Sequence, residues 1–371
     1  VMVKDRHYPI WRAVAATALI GGLSLQAAPH AASARSAHAG TTLIVDYKTD
    51  ISHLDTGKCY DTECYPFVHV MYDQLVGYDI THGDGDTLIP DAAAAMPAVT
   101  NGGKTYTFKL RHDVHFWNGK LVTAADWVYS FNRIIDPKTQ AGGASFWFNI
   151  VGANAYNTGK AKSVSGIKAL NQFTLQINLI TPDASFLSVL AMPFGSVVDK
   201  ATIAKYGKTY DASHPMGTGP YMFVQHVINQ KLVLTKNPHY FGGNVGKVDN
   251  IEADFGVDLD TAYLRIQRGQ ADYDGDQPAI PPAEFLNVIN DPKLSKQVVK
   301  QAQVAFWYIP MNVQMKPFDN VLVRRAVNMA IDRKPILRLV NGQGIATTTI
   351  LPPGMPGYGK FDLYPYNPAA A

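Results

Sequence analysis

The chain has 371 residues, with 33 Lys and Arg against 30 Asp and Glu, and 47% of it is hydrophobic. That length suits two domains, and the apolar fraction excludes global disorder and collagen-like, mucin-like or coiled-coil compositions. The formal charge of +3 arises in the first 39 residues, where Lys4, Arg6, Arg12 and Arg35 face only Asp5; residues 40–371 carry 29 basic and 29 acidic groups. A neutral body gives no reason to expect nucleic acid or an anionic membrane as a partner.

Residues 4–12 (KDRHYPIWR) are net positive, residues 13–28 (AVAATALIGGLSLQAA) are uncharged, and small residues follow. This pattern predicts a secretory signal peptide over 1–39, cut after Ala37-His38-Ala39, with Ala32-Ser33-Ala34 as a second option. An uncleaved anchor helix is the alternative, although the apolar run is short for a hydrocarbon core about 30 Å thick. No later run reaches 18 apolar residues, so the body reads as soluble. The two cysteines, Cys59 and Cys64, lie in GKCYDTECYPF. In an exported chain they are a candidate disulfide clip, with free buried thiols as the alternative. Two thiolates are too few for structural zinc, and the spacing differs from that of a C-x-x-C redox pair.

TTLIVDY (41–47) predicts a first strand, and FVHVMYDQLVGYD (67–79) has apolar residues at helical spacing through Leu75. THGDGDTLIPD reads as a loop. KTYTFKLR (104–111) alternates, placing Tyr106, Phe108 and Leu110 on one face. Thr123 opens a helix as N-cap with Asp126 at N3, and Trp127 and Phe131 point from it to the core. FTLQINLI (173–180) is a strand and SFLSVLAM is helix-like; YMFVQHV and KLVLTKN form a hairpin, and NIEADFGV is a strand. TAYLRIQRGQADY begins as a helix, VAFWYIPMNV (304–313) is strand-like, and residues 321–340 are helical with a break or new start at Pro335. Strands and helices mix without regular βαβ alternation, and no G-x-G-x-x-G or phosphate-loop motif occurs.

Enzyme chemistry finds no support. There is no G-x-S-x-G, no H-E-x-x-H and no calcium-loop pattern in THGDGD or ADYDGDQ. His112 and His115 are three apart on extended backbone, which sends them to opposite faces, and His53, His69, His82, His214, His226 and His239 show no ligand spacing. No metal, cofactor or catalytic residue is therefore assigned. GTGPY (217–221) reads as a structural turn, because Pro220 removes an amide donor.

Four ordered blocks resemble a known family: KTYTFKLRHDVHFWNGKLVTAADWVYSFNRIIDP (104–137), MGTGPYMFVQHVINQKLVLTKNPHYFGG (216–243), YLRIQRGQADY (263–273) and MNVQMKPFDNVLVRRAVNMAIDR (311–333). They are similar to the extracytoplasmic solute-binding proteins of ABC importers, the peptide/nickel/oligopeptide family 5. Trp127 stands where that family usually has Val, and Asn320 where it has Asp. The resemblance implies an α/β, two-lobed periplasmic-binding-protein-like fold of type II, the large peptide-binding class with an extra subdomain. It implies a first lobe over 40–302 with an inserted subdomain at about 86–205, and 303–371 as the start of an incomplete second lobe in a carboxy-terminally truncated chain. The implied function is extracytoplasmic capture of a peptide or peptide-like solute by a monomer, and delivery to the membrane permease of an ABC importer. The implied location is the periplasm or cell exterior. Alternatives are a nickel-chelate or oligosaccharide binder of the same fold, or a non-functional truncated remnant.

A solute cleft needs flat aromatic surfaces and a few convergent polar groups. Phe146 and Trp147 lie in a Gly-bounded aromatic run, and Phe306, Trp307, Tyr308 and Asn312 lie near the family's crossing to the second lobe. Tyr47, Thr49 and Asp50 close the first strand, where ligands favour the crevice beyond strand ends. These nine are the candidate ligand-binding residues. Core burial is the alternative for each aromatic, and an ordinary solvated strand end for Tyr47, Thr49 and Asp50.

Overall fold

The computed structural model describes residues 40–79, 87–243, 245–299, 305–353, 355 and 357–371. The expected signal peptide, the THGDGD stretch (81–86) and Val304 lie outside these residues. The chain divides into two compact units, one running to Val257 and adding Gly269–Gly275, the other comprising Asp258–Arg268 and Asp276–Ala371.

In chain order the elements begin with β1 (Thr42–Tyr47), α1 (Tyr65–Met71), β2 (Val76–Tyr78), β3 (Leu88–Pro90), β4 (Ala98–Thr100), β5 (Thr105–Lys109) and α2 (Ala124–Ile135). Next come α3 (Ala153–Asn157), β6 (Ile167–Asn171), β7 (Thr174–Asn178), α4 (Phe186–Leu190), α5 (Lys200–Tyr206) and α6 (Tyr210–Ser213). Then follow β8 (Tyr221–Val227), β9 (Lys231–Lys236), β10 (Asn250–Phe255), α7 (Leu259–Gln267), β11 (Tyr273–Asp274), α8 (Pro282–Asn290), α9 (Val321–Ala330) and α10 (Arg333–Leu339).

The amino-terminal unit holds two cores. A five-stranded sheet in the order β11-β1-β10-β9-β8 anchors one. In it β1 runs parallel to β10 and β11, and β8–β9 is the expected antiparallel hairpin. Its buried residues come from Val45–Tyr72 and Val198–Phe255. A four-stranded antiparallel sheet, β4-β5-β7-β6, anchors the other, whose buried residues all fall between Leu75 and Val197. The chain thus leaves the first core after Tyr72 and returns at Val198. Tyr106, Phe108 and Leu110 are buried on one face of the second core, as their alternation requires. The capping box of α2 forms as read: the Asp126 carboxylate accepts from the Thr123 amide at 2.9 Å, and Trp127 and Phe131 pack inward.

Three expectations are corrected. The helix from 67 ends at Met71, and Val76–Tyr78 instead pairs with Leu88–Pro90, inside a stretch read as loop. Helical spacing at Leu75 is coincidental there, because short apolar runs suit either period. Residues 305–313 form no strand. Pro310 lacks the N–H a ladder needs, and among the described residues no strand pairs with the segment. Finally, the break before α10 falls at Ile331–Asp332, where the Asp332 side chain caps the new helix, and Pro335 sits within its first turn.

The carboxy-terminal unit contains α7 to α10. Phe285 and Val288 of α8 and Ala262 of α7 are buried, whereas α9 and α10 bury no residue. Asn341 and Gln343 tie the segment after α10 to the start of α8, donating to the Pro282 and Ile280 carbonyls at 2.8 and 3.1 Å.

GTGPY, read as a turn, is instead a bent lead-in to β8 pressed on the end of α1. A Cβ on Gly217 would lie 1.9 Å from the Met71 carbonyl oxygen, and one on Gly219 would lie 2.6 Å from that of Val70. Gly217→Ala is therefore expected to cost about 2–3 kcal/mol through overpacking against backbone. Urea unfolding measures it, and a loss below about 0.5 kcal/mol contradicts this packing.

Candidate functional site

Parallel strands β1, β10 and β11 end together, with Tyr47 opposite Phe255 and Asp46 opposite Asp274 in register. Beyond that end lies a crevice of about 240 Å³, lined by Asp50, Ile51, Ser52, His53, Leu54, Asp211, Ala212, His226 and Ile228. The loop after β1 is its wall, and carboxylates hold that loop in place. Asp50 accepts hydrogen bonds from the Ile51 and Asn229 amides, both at 2.7 Å, and pairs with His226 Nε2 at 2.8 Å. Asp211 accepts from the Leu54 and Asp55 amides, both at 2.9 Å, and pairs with His53 Nδ1 at 2.6 Å. Lys58 Nζ stands 3.5 Å from the same carboxylate.

Buried Asp55 receives both guanidinium nitrogens of Arg133 from α2, Nη1 at 2.8 Å. Such a bidentate pair fixes direction as well as distance. Cys59 and Cys64 form a disulfide, with Cα atoms 5.8 Å apart. Asp61 joins that clip to the crevice: one oxygen accepts from the Cys64 amide at 2.8 Å, the other from the Ser52 hydroxyl. The wall is therefore preformed, and the two imidazoles are oriented by carboxylates that have spent their own acceptors on backbone.

The candidate residues fall in different places. Asp50 is half-buried and lines the crevice, whereas Thr49 is exposed and is not among its lining residues. Tyr47 is a core residue instead, its ring 5.4 Å from Phe67 and against Gly275, where any Cβ would collide with it. Phe146 is 40% exposed, but Trp147 has no exposed surface, and its ring lies 4.7 Å from Phe131. Three consecutive aromatics are accommodated because a 3-10 turn (Ala144–Trp147) aims them differently. Trp147 belongs to the second core, Phe146 lies on the surface beside it, and neither lines the crevice. Phe306, Trp307, Tyr308 and Asn312 are in the carboxy-terminal unit. Phe306 and Tyr308 share a side, with rings 5.1 Å apart, Trp307 is 92% exposed, and Asn312 closes a turn by accepting from the Gln314 amide at 2.9 Å.

His53, Asp211 and His226 were missed from sequence. Each imidazole finds its carboxylate 158 or 176 positions away, so no local spacing could signal the pairs. A larger depression, about 420 Å³, is lined by His115, Trp117, Met222, Asn237 and His239 among others. It lies at the opposite end of the sheet, where β8 starts and β9 ends. The smaller crevice is the better candidate, because it sits beyond the carboxyl ends of the parallel strands and holds oriented polar groups. Among the described residues no group of three or more His, Cys, Asp or Glu side chains is placed to hold a metal ion. No helix of the described residues is long and apolar enough to cross a membrane.

Residues 87–371 match the family described as bacterial extracellular solute-binding proteins, family 5 Middle. The chain belongs to that family. It is 31% identical to heme-binding protein A of Haemophilus influenzae over 81% of this chain and 55% of that protein. It is also 31% identical to the dipeptide-binding protein DppE of Bacillus subtilis, over 67% of this chain and 45% of that one. Among solved structures, the murein tripeptide binding protein MppA of Escherichia coli superposes with a TM-score of 0.77 at 26% identity, covering 87% of this chain and 62% of that one. The fold is thus the two-domain α/β periplasmic-binding-protein-like fold, and the similarity is to solute-binding proteins rather than enzymes. The chain spans about half the length of the curated relatives it matches.

Proposed function

We propose that this chain binds a peptide or peptide-like solute outside the cytoplasm and hands it to the permease of an ABC importer. The family match over residues 87–371 carries this reading. The crevice at the strand ends supports it, since a wall already held by the hydrogen bonds of Asp50 and Asp211 needs little reordering on binding. Asp50 lines it, Thr49 next to Asp50 is a proposed edge contact, and Phe306, Trp307 and Tyr308 are the proposed aromatic surface of the carboxy-terminal unit. In this reading residues 40–302 make up the first lobe, with the second core as its inserted subdomain, and the segment from 303 onward begins the second lobe. The same reading proposes a periplasmic or extracellular monomer.

One observation favours a different solute, namely the similarity to a protein named for heme binding. Calorimetric titration with a dipeptide-to-pentapeptide pool, haemin and a nickel chelate separates the readings. Saturable 1:1 heat with peptides alone is expected. Saturation by haemin or the chelate with silent peptides contradicts the peptide reading.

A further inference from the structure

The Cys59–Cys64 disulfide closes residues 59–64 (CYDTEC) into a ring, and both cysteines are buried in the first core. The Cys59 amide donates to the Asp55 carbonyl at 2.9 Å, and the Cys64 carbonyl accepts from the Val68 amide of α1 at 3.0 Å. Asp61 stands inside this ring, and its carboxylate serves two partners. Oδ1 accepts from the Cys64 amide at 2.8 Å, and Oδ2 accepts from the Ser52 hydroxyl. Ser52 is exposed and lines the crevice beyond β1. A hydroxyl has one proton to donate and two lone pairs to accept with, whereas a carboxylate only accepts. The Ser52 proton is therefore committed to Asp61, and its oxygen is left as an acceptor.

We propose that Ser52 is a specificity residue of the crevice, held as an acceptor for an N–H group of the solute, and that the disulfide ring positions it through Asp61. This rests on the solute reading above and names the solute group it favours, a peptide amide or ammonium N–H. A solute carboxylate or carbonyl oxygen set against the Ser52 oxygen would find no proton there.

The two carboxylates lining the crevice are engaged by the wall itself. Asp50 holds the Ile51 and Asn229 amides and His226, and Asp211 holds the Leu54 and Asp55 amides and His53. Ser52 differs in that its anchor, Asp61, is not itself a lining residue. Asp61 precedes α1 and belongs to no strand or helix. The crosslink between Cys59 and Cys64 therefore limits how far its carboxylate can swing from Ser52, as ring closure limits the conformations of any short loop.

Asp61→Asn keeps an oxygen for the Cys64 amide and sets an N–H against the Ser52 oxygen, which consumes the acceptor and turns the hydroxyl proton away. Ser52→Ala removes the acceptor outright. Calorimetric titration of the full chain with the dipeptide-to-pentapeptide pool is expected to give an affinity about three- to tenfold weaker in each variant. The chain carrying both substitutions should be no weaker than Ser52→Ala alone, because Asp61 acts through Ser52. No loss in Ser52→Ala, or losses that add, overturn the proposal. If the pool gives no heat with the unsubstituted chain, the solute reading fails, and hydrogen exchange decides the positioning separately. Cys59→Ala combined with Cys64→Ala is expected to speed amide exchange in residues 51–53 by at least about tenfold while β1 stays unchanged. Unchanged exchange in residues 51–53 overturns the positioning. If β1 exchange rises as well, that chain is unfolded, and Asp61→Asn with its crosslink intact supplies the same comparison with the same two outcomes.

Discussion

Chymotrypsin is expected to cut the 371-residue chain first at Phe306–Tyr308 and to trim it back towards residue 300, leaving the amino-terminal unit intact. The reason is burial. Trp307, Tyr308 and Ile309 are largely exposed on backbone without ladder bonds, and α9 and α10 contribute nothing to a core. Leu339 is 77% exposed, and Leu322, Ile345, Ile350 and Leu363 are comparably open. Segments with so little buried apolar surface open at almost no cost, whereas strands such as β1 and β5 open only near the global unfolding energy. Cleavage after residue 305 should outpace cleavage within 40–257 by at least about tenfold. The same exposed side chains make this part of the chain prone to self-association. A resistant species ending at Ala371, with cuts inside the amino-terminal unit, contradicts the burial pattern.

Trp147→Ala is expected to destabilise the amino-terminal unit by about 3–5 kcal/mol, the range for truncating a fully buried aromatic. Its ring packs on Phe131, which in turn lies 5.6 Å from Trp127, so the cavity would open in the middle of the second core. Phe146→Ala, one residue earlier, should stay within about 0.5 kcal/mol, because that side chain is substantially exposed. Differential unfolding in urea compares the two. Equal small effects would place Trp147 on the surface and return it to the candidate cleft.

Much of the fold was legible because local chemistry and burial agree. The alternation Tyr106-Phe108-Leu110, the Thr123–Asp126 box and the β8–β9 hairpin were each specified by residues a few positions apart. Errors came where partners are distant or short. Leu88–Pro90 is a strand only because Val76–Tyr78 pairs with it, and VAFWYIPMNV has strand composition without a strand to join. For the site, Asp50 was readable from its place after β1. Its partner His226 was not, because that pair is made by the hairpin folding back across the sheet. Trp147 shows the opposite failure, since an aromatic run cannot reveal which ring a 3-10 turn will bury.

The central claim is that solute meets the crevice beyond β1, β10 and β11. It is tested most directly by photo-crosslinking a short-peptide pool carrying a benzophenone residue to the 371-residue chain, and mapping adducts by mass spectrometry. Adducts on Thr49–Leu54 and Ile228, suppressed by excess unlabelled peptide, are predicted. Competable adducts confined to the opposite end of the sheet, around Trp117, Met222 and His239, would contradict it.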